Sequence, residues 1–66
     1  MKKILKLYEL PRNSFFRIAG LVLKFHHIDG MYFFCTDSKG NIYHIGASQE
    51  VEFLENYNYE EEIIND

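Results

Sequence analysis

The side chains of this chain that could do chemistry are concentrated between residues 25 and 46. This stretch, FHHIDGMYFFCTDSKGNIYHIG, holds all three histidines, the only cysteine and five of the eleven aromatic residues. Imidazole and thiolate groups are ordinary zinc ligands and ordinary participants in nucleophilic catalysis. The sequence must therefore be tested for a metal centre, a catalytic site, or simply the middle of a small β-sheet.

The spacing of these groups argues against a metal centre. Structural zinc takes four ligands, and the sequence contains neither a CxxC nor an HxxxH spacing. His26 and His27 are adjacent, so they point to opposite faces of a regular strand. His26 with Cys35, or His27 with His44, would then supply two ligands at most. We predict no metal site and no cofactor.

The same residues do not indicate a catalytic site. Cys35 lies in an aromatic-rich strand, where a lone cysteine is typically a small buried hydrophobic residue with a raised pKa. The acids Glu60, Glu61 and Glu62 form a run and not a convergent pair. A domain of this size also has little room for a pocket that excludes water. We predict that the protein is not an enzyme and has no catalytic residues.

Turn signals divide the chain into short strands. Pro11 fixes φ in a first turn. Asp29-Gly30 is a strong hairpin signal, because both central residues of a type I′ turn need positive φ. Gly40 suits the left-handed position of a second hairpin loop. The predicted strand segments are FFRIA, LVLKFHHI, MYFFCT, IYHIGA and VEFL, with one turn of 3-10 helix at SQE.

Short strands joined by tight turns predict an antiparallel meander. A small sheet without a long helix must bury one of its own faces, and closure into a barrel also removes exposed edges. We therefore predict an all-β fold: a small antiparallel SH3-like barrel of five to six strands, formed by residues 1–54. Residues 55–66 follow as an acidic tail that is flexible or is ordered by a partner.

Pairing the strands through these turns gives two apolar faces. With Asp29 and Gly30 at the turn, Ile28 pairs with Met31, and the second loop is expected at residues 38–40. Side chains then alternate between the faces along each strand. The first face carries His26, Ile28, Met31, Phe33, Cys35, Tyr43 and Ile45, and the second carries Leu23, Phe25, His27, Tyr32, Phe34, Ile42 and His44. Since a barrel interior uses one face, the other is predicted either to be a contact surface or to be covered by the N-terminal segment KILKLYEL or by the tail.

Charge is unevenly distributed around a net value of −3. Residues 1–24 hold six lysines and arginines against one acid, whereas residues 25–66 hold one lysine against nine acids. Such asymmetry indicates charged partners. No apolar run approaches the roughly 20 residues of a membrane span, and the N-terminus lacks the apolar core of a signal peptide. We expect a cytoplasmic protein with a reduced cysteine.

Three segments resemble small accessory proteins of tailed bacteriophages. The segments are LPRNSFFRIAG, HHIDGMYFFC and DSKGNIYHIGASQEVE, which together cover more than half of the chain. The resemblance rests on turn residues, aromatics and strand ends. It implies an accessory role in infection: binding a host factor, countering a defence system, or assisting phage nucleic-acid metabolism. It carries over no catalytic residues.

We therefore predict a non-enzymatic accessory protein that binds and modulates a host or phage protein in the bacterial cytoplasm. The predicted contact residues are His27, Tyr32, Phe34, His44, Tyr57, Tyr59, Glu60, Glu61 and Glu62. A homodimer would also cover the excess apolar surface, and the acidic half could mimic nucleic acid. The alternative is a small barrel that stacks nucleic-acid bases or sequesters a nucleotide, which the acidic charge balance disfavours.

Overall fold

The computed structural model describes residues 2–58, which form one antiparallel sheet of six strands. A single 3-10 turn at Leu7–Glu9 is the only helical element in this range. The strands are β1 (Ile4–Lys6), β2 (Phe15–Ile18), β3 (Leu21–Asp29), β4 (Tyr32–Thr36), β5 (Ile42–Gly46) and β6 (Glu50–Leu54). Their spatial order is β1-β6-β2-β3-β4-β5. The prediction of an all-β antiparallel fold is confirmed.

The sheet does not close into a barrel, so that part of the prediction is wrong. β1 and β5 form the two edges, and no strand pairing joins them. The 3-10 turn that follows β1 is attached to the loop between β5 and β6, because the N–H groups of Leu7 and Tyr8 donate to the carbonyls of Gln49 and Ala47 at 2.9 and 3.0 Å. β1 is three residues long and pairs with β6. The 3-10 turn expected at SQE lies instead at the N-terminus.

One face of the sheet forms the core. Leu7, the first residue of the 3-10 turn, and Leu10, directly after the turn, cover this face and are themselves buried. Each large buried side chain contributes about 1.5–3 kcal/mol of hydrophobic stabilisation. The buried strand residues are Phe16, Leu23, Phe25, Phe33, Cys35 and Val51, with Leu5, Ile18, Tyr43, Ile45, Ala47 and Phe53 packed around them.

A β-bulge at His26 decides which residues of β3 enter this core. His27 pairs with Phe34, whereas the next pair towards the N-terminus is Phe25 with Cys35. His26 is therefore an extra residue in β3, and the side chains before it change face. Phe25 lies in the core beside Cys35, and not on the outer face as predicted from strict alternation.

The turn between β3 and β4 lies one residue later than predicted. Asp29 is the last residue of β3 and pairs with Tyr32, so the predicted pair of Ile28 with Met31 is wrong. Of the two turn residues, Gly30 alone has positive φ, at 65°. That pattern belongs to a type II′ turn, which takes glycine at its first central position.

The other predicted turn residues lie at turns. Phe34 pairs with His44, as expected for a second loop at residues 38–40. Gly40 has a φ of 85°, which is the left-handed conformation predicted for this residue. Pro11 directly precedes a turn in which Asn13 has a φ of 66°, and asparagine is one of the few residues that tolerate this region.

The β4–β5 loop is organised by the carboxylate of Asp37. It accepts the N–H groups of Lys39 and Asn41 at 2.9 Å each, and the side-chain amide of Asn41 at 2.9 Å. The hydroxyl of Tyr43 donates to it at 3.4 Å. These hydrogen bonds, with that from the Asn41 side chain as the largest contribution, lower the pKa of Asp37.

We expect Asp37→Ala to destabilise the protein in a pH-dependent manner. Because folding lowers the pKa of Asp37, its contribution is fully present above the unfolded value of about 3.9 and is lost as pH falls through the folded value. Urea midpoints of wild type and variant should differ most at neutral pH and converge in strong acid. A difference that is the same at every pH would contradict this account.

The turn between β2 and β3 holds an alanine in the left-handed conformation. Ile18 pairs with Leu21, and the two turn residues Ala19 and Gly20 have φ of 50° and 78°. Positive φ at both positions is the pattern of a type I′ turn. For an alanine this conformation costs roughly 1–2 kcal/mol, so the turn is strained at Ala19.

Substitutions in this turn should change stability in opposite directions. Ala19→Asn should raise the free energy of unfolding by about 0.5–1 kcal/mol, since asparagine tolerates positive φ. Gly20→Ala should lower it by about 1–2 kcal/mol. A Cβ at Gly20 would meet no atom within 4 Å, so the loss of stability in Gly20→Ala would come from backbone strain alone. Urea denaturation measures both, and equal stabilities would refute the turn assignment.

Candidate functional site on the outer face

The outer face of β3, β4 and β5, opposite the core, carries three imidazole rings around one phenyl ring. His27 stacks on Phe34 with 4.7 Å between ring centroids and 13° between ring planes. His26 and His44 meet the same ring edge-on, at 5.8 and 5.7 Å. Stacked and edge-to-face geometries at these distances are favourable. We refer to these four residues as the Phe34 cluster.

The β-bulge explains how two adjacent histidines reach the same ring. In a regular strand His26 and His27 would point to opposite faces, which was our expectation. As the extra residue of the bulge, His26 instead stays on the outer face, where its Nε2 lies 2.6 Å from Oγ1 of Thr36. The predicted alternative of His26 beside Cys35 is wrong, because Cys35 lies in the core.

A carboxylate lies at the edge of the Phe34 cluster. Nε2 of His44 is 3.5 Å from Oδ2 of Asp29, and both side chains are about half exposed. When His44 is protonated the two form an ion pair, which solvent screening keeps weak. The cluster therefore combines apolar ring surface with imidazole nitrogens that can donate or accept hydrogen bonds.

Exposed apolar side chains surround the Phe34 cluster. Tyr32 and Ile42 are 54% and 58% exposed, and the strand register places both on the outer face. Met31, in the β3–β4 turn, is also exposed, whereas the exposed Ile28 pairs with the core residue Phe33 and so lies on the opposite side of the sheet. Contiguous aromatic and aliphatic surface of this kind marks interaction sites in soluble proteins.

The structure brings together most of the contact residues predicted on the strands. His27, Phe34 and His44 share one cluster, and Tyr32 lies on the same face. Tyr57 lies apart from them, over the outer face of β2. His26 belongs to the site but was missed, because no local pattern in the sequence marks the bulge. The predicted tail contacts Tyr59, Glu60, Glu61 and Glu62 lie outside the described residues.

The arrangement does not support metal binding within residues 2–58, where no group of three or more His, Cys, Asp or Glu side chains could hold an ion. The strand order explains why the histidines do not converge. Phe34 on the central strand β4 stands between His27 on β3 and His44 on β5. The imidazoles contact the phenyl ring and do not face one common point.

Cys35 is fully buried in the core and is remote from the outer face. Its thiol donates a weak hydrogen bond to the carbonyl of Phe33 at 3.5 Å. Burial raises the pKa of Cys35 to about 12, from an ordinary value of 9.0. Because the thiolate is the reactive form, this cysteine is not a nucleophile at neutral pH.

Cys35 should resist alkylation in the folded protein. The raised pKa leaves roughly a thousandfold less thiolate near neutral pH than in an unfolded chain. Iodoacetamide labelling followed by mass spectrometry should show full modification in guanidinium and a rate at least about 100-fold lower in native buffer. Rapid labelling of the native protein would place the thiol at the surface.

Comparison with family models, with curated proteins and with solved structures gives no match to this chain. No helix within residues 2–58 has the length and apolar character that a membrane span requires. The functional argument therefore depends on the geometry and chemistry of the outer face.

Proposed function

We propose that this protein is a non-enzymatic binding module that modulates a host or phage protein through the outer face of β3–β5. The observation that carries the proposal is the Phe34 cluster, an aromatic site held by three imidazoles beside the exposed ring of Tyr32. The resemblance to phage accessory proteins supplies the setting, which is the cytoplasm of an infected bacterium and includes the countering of a host defence.

The Phe34 cluster has the physical properties of a binding hot spot. Aromatic residues dominate hot spots because they bury a large area with few rotatable bonds. The ring of Phe34 is already packed by the three histidines, so little side-chain entropy remains to be lost on association. Histidine nitrogens and the hydroxyl of Tyr32 add hydrogen-bonding groups, which give the contact direction and specificity.

The SH3-like relationship is part of this proposal. What supports it is the short 3-10 turn hydrogen-bonded to the β5–β6 loop, together with the order of the hairpins. Shared architecture does not transfer function. The proposed activity therefore depends on the outer face and not on the fold.

Substitutions on the outer face test the proposal. Tyr32→Ala and Phe34→Ala should each weaken partner binding by about 2 kcal/mol, roughly thirtyfold in Kd. Tyr8→Ala is the matched control, because Tyr8 is 60% exposed on the 3-10 turn and should leave binding unchanged. Affinity capture from a bacterial lysate identifies the partner, and titration calorimetry with the purified partner gives the affinities.

Circular dichroism and urea denaturation must show that the variants remain folded. Undiminished binding by both outer-face variants would refute the assignment of this face. Salt titration distinguishes the alternative of nucleic-acid binding, because affinity that depends on phosphates falls steeply between low and physiological salt. Contacts to a protein through the Phe34 cluster should change little over that range.

A further inference from the structure

The edge strand β5 carries backbone groups that point away from the sheet. Among the described strands β5 pairs with β4 alone, and in an antiparallel pair alternate residues make the hydrogen bonds. The N–H of Asp37 donates to the carbonyl of Asn41 at 3.1 Å, which fixes this alternation. Tyr43 therefore bonds to β4, whereas Ile42 and His44 direct their N–H and C=O groups outward. In the described part of the chain, no hydrogen bond uses these outward groups.

The opposite edge, β1, is protected against a further strand and β5 is not. β1 is three residues long, and its Lys6 forms an ion pair with Glu50 at 3.6 Å. The N–H of Lys6 also donates to the carboxylate of Glu9 at 2.8 Å. Shortness and charge are devices that keep edge strands from pairing. β5, with the sequence IYHIG, is five residues long and contains no charged acid, lysine or proline, so it is open to strand addition.

The outward groups of β5 are complementary to those of a second β5. They belong to residues two apart, so a two-fold axis beside Tyr43 places Ile42 of one copy opposite His44 of the other. Residues opposed in this way exchange N–H to C=O hydrogen bonds in both directions. A register shifted by two residues would instead oppose Ile42 to Gly46, whose carbonyl already accepts the N–H of Gln49 at 3.1 Å. The register centred on Tyr43 therefore uses all of the free groups of both residues.

The side chains of β5 suit the same contact. Ile42 is 58% exposed and the side chain of His44 is 50% exposed, and both lie on the outer face. In the paired strands, Ile42 of each copy would cover the imidazole of the other. Because β5 holds no lysine, arginine or acid, its pairing with itself brings no such like charges into opposition.

We propose that two copies of this chain associate through β5 as an antiparallel, two-fold symmetric dimer, with Ile42 opposite His44. The interface is isologous, and the two sheets become one continuous sheet. A single edge strand buries less than the roughly 1,200–2,000 Å² of a stable interface, so the dimer dissociates on dilution, with a Kd of about 10–100 µM. This inference goes beyond the proposed function and stands without it. Its consequence, that two Phe34 clusters share one outer face, rests on that function.

Sedimentation equilibrium of the full chain, between about 1 µM and 1 mM, tests for the dimer. The average mass should rise with concentration towards twice that of the monomer. Ile42→Lys places a charge on the open edge and should raise Kd at least about tenfold. Ile4→Lys is the matched control, because Ile4 is 55% exposed on the β1 edge, and it should leave Kd unchanged. Circular dichroism must show that both variants are folded.

Amide hydrogen exchange identifies the edge and the register. The amides of Ile42 and His44 should exchange at least about threefold more slowly at 1 mM than at 1 µM, because they are bonded only in the dimer. The amides of Tyr43 and Ile45, which bond to β4, should be protected at both concentrations. Mass spectrometry with electron-transfer fragmentation resolves these positions.

Several outcomes would overturn the dimer. A monomer mass at every concentration is one, and a Kd raised by Ile4→Lys but not by Ile42→Lys is another. Exchange of the Ile42 and His44 amides that does not change with concentration is a third, since slow exchange would then mean that a segment of the same chain occupies the edge. Loss of partner binding in Tyr32→Ala leaves both measurements unaffected, so failure of the proposed function is distinguishable from failure of the dimer.

Discussion

Both faces of this sheet depend on the β-bulge at His26. Before the bulge, β3 contributes Phe25 to the core, where it stacks on Phe33 with 4.5 Å between ring centroids. After the bulge, His27 lies on the outer face over Phe34. A regular strand could not meet both requirements, because strict alternation would bring Phe25 and His27 to the same side. The extra residue His26 thus allows Phe25 to lie in the core and His27 to lie in the Phe34 cluster.

The small size of the chain explains the rest of the architecture. A single sheet must supply its own core, and Leu7 and Leu10 complete it from the segment around the 3-10 turn. These two residues cover the core face, whereas the outer face exposes apolar side chains such as Tyr32 and Ile42. Apolar surface of this kind marks interaction sites, which is why our proposed function assigns a partner to the outer face.

The chemistry of the site follows from this architecture. The histidines that suggested a metal centre are distributed around a phenyl ring, and the cysteine that suggested a nucleophile is buried with a raised pKa. Their residue types suit catalysis, but our proposal assigns the histidines to recognition because of where they lie. Stacking fixes the rings of the Phe34 cluster, and the neighbouring side chains of Tyr32 and Ile42 extend the surface a partner could contact.

Local patterns in the sequence determined the antiparallel β-fold, the burial of Cys35, and the second hairpin, whose register is set by the loop that contains Gly40. They could do so because turn chemistry and period-two alternation act over a few residues. They did not determine the bulge, the register of the first hairpin, the position of the 3-10 turn or the open sheet. A bulge has no distinct local pattern, since either register gives β3 an alternating apolar sequence. Only tertiary packing decided between them, because one register alone buries Phe25 against Phe33 and Cys35.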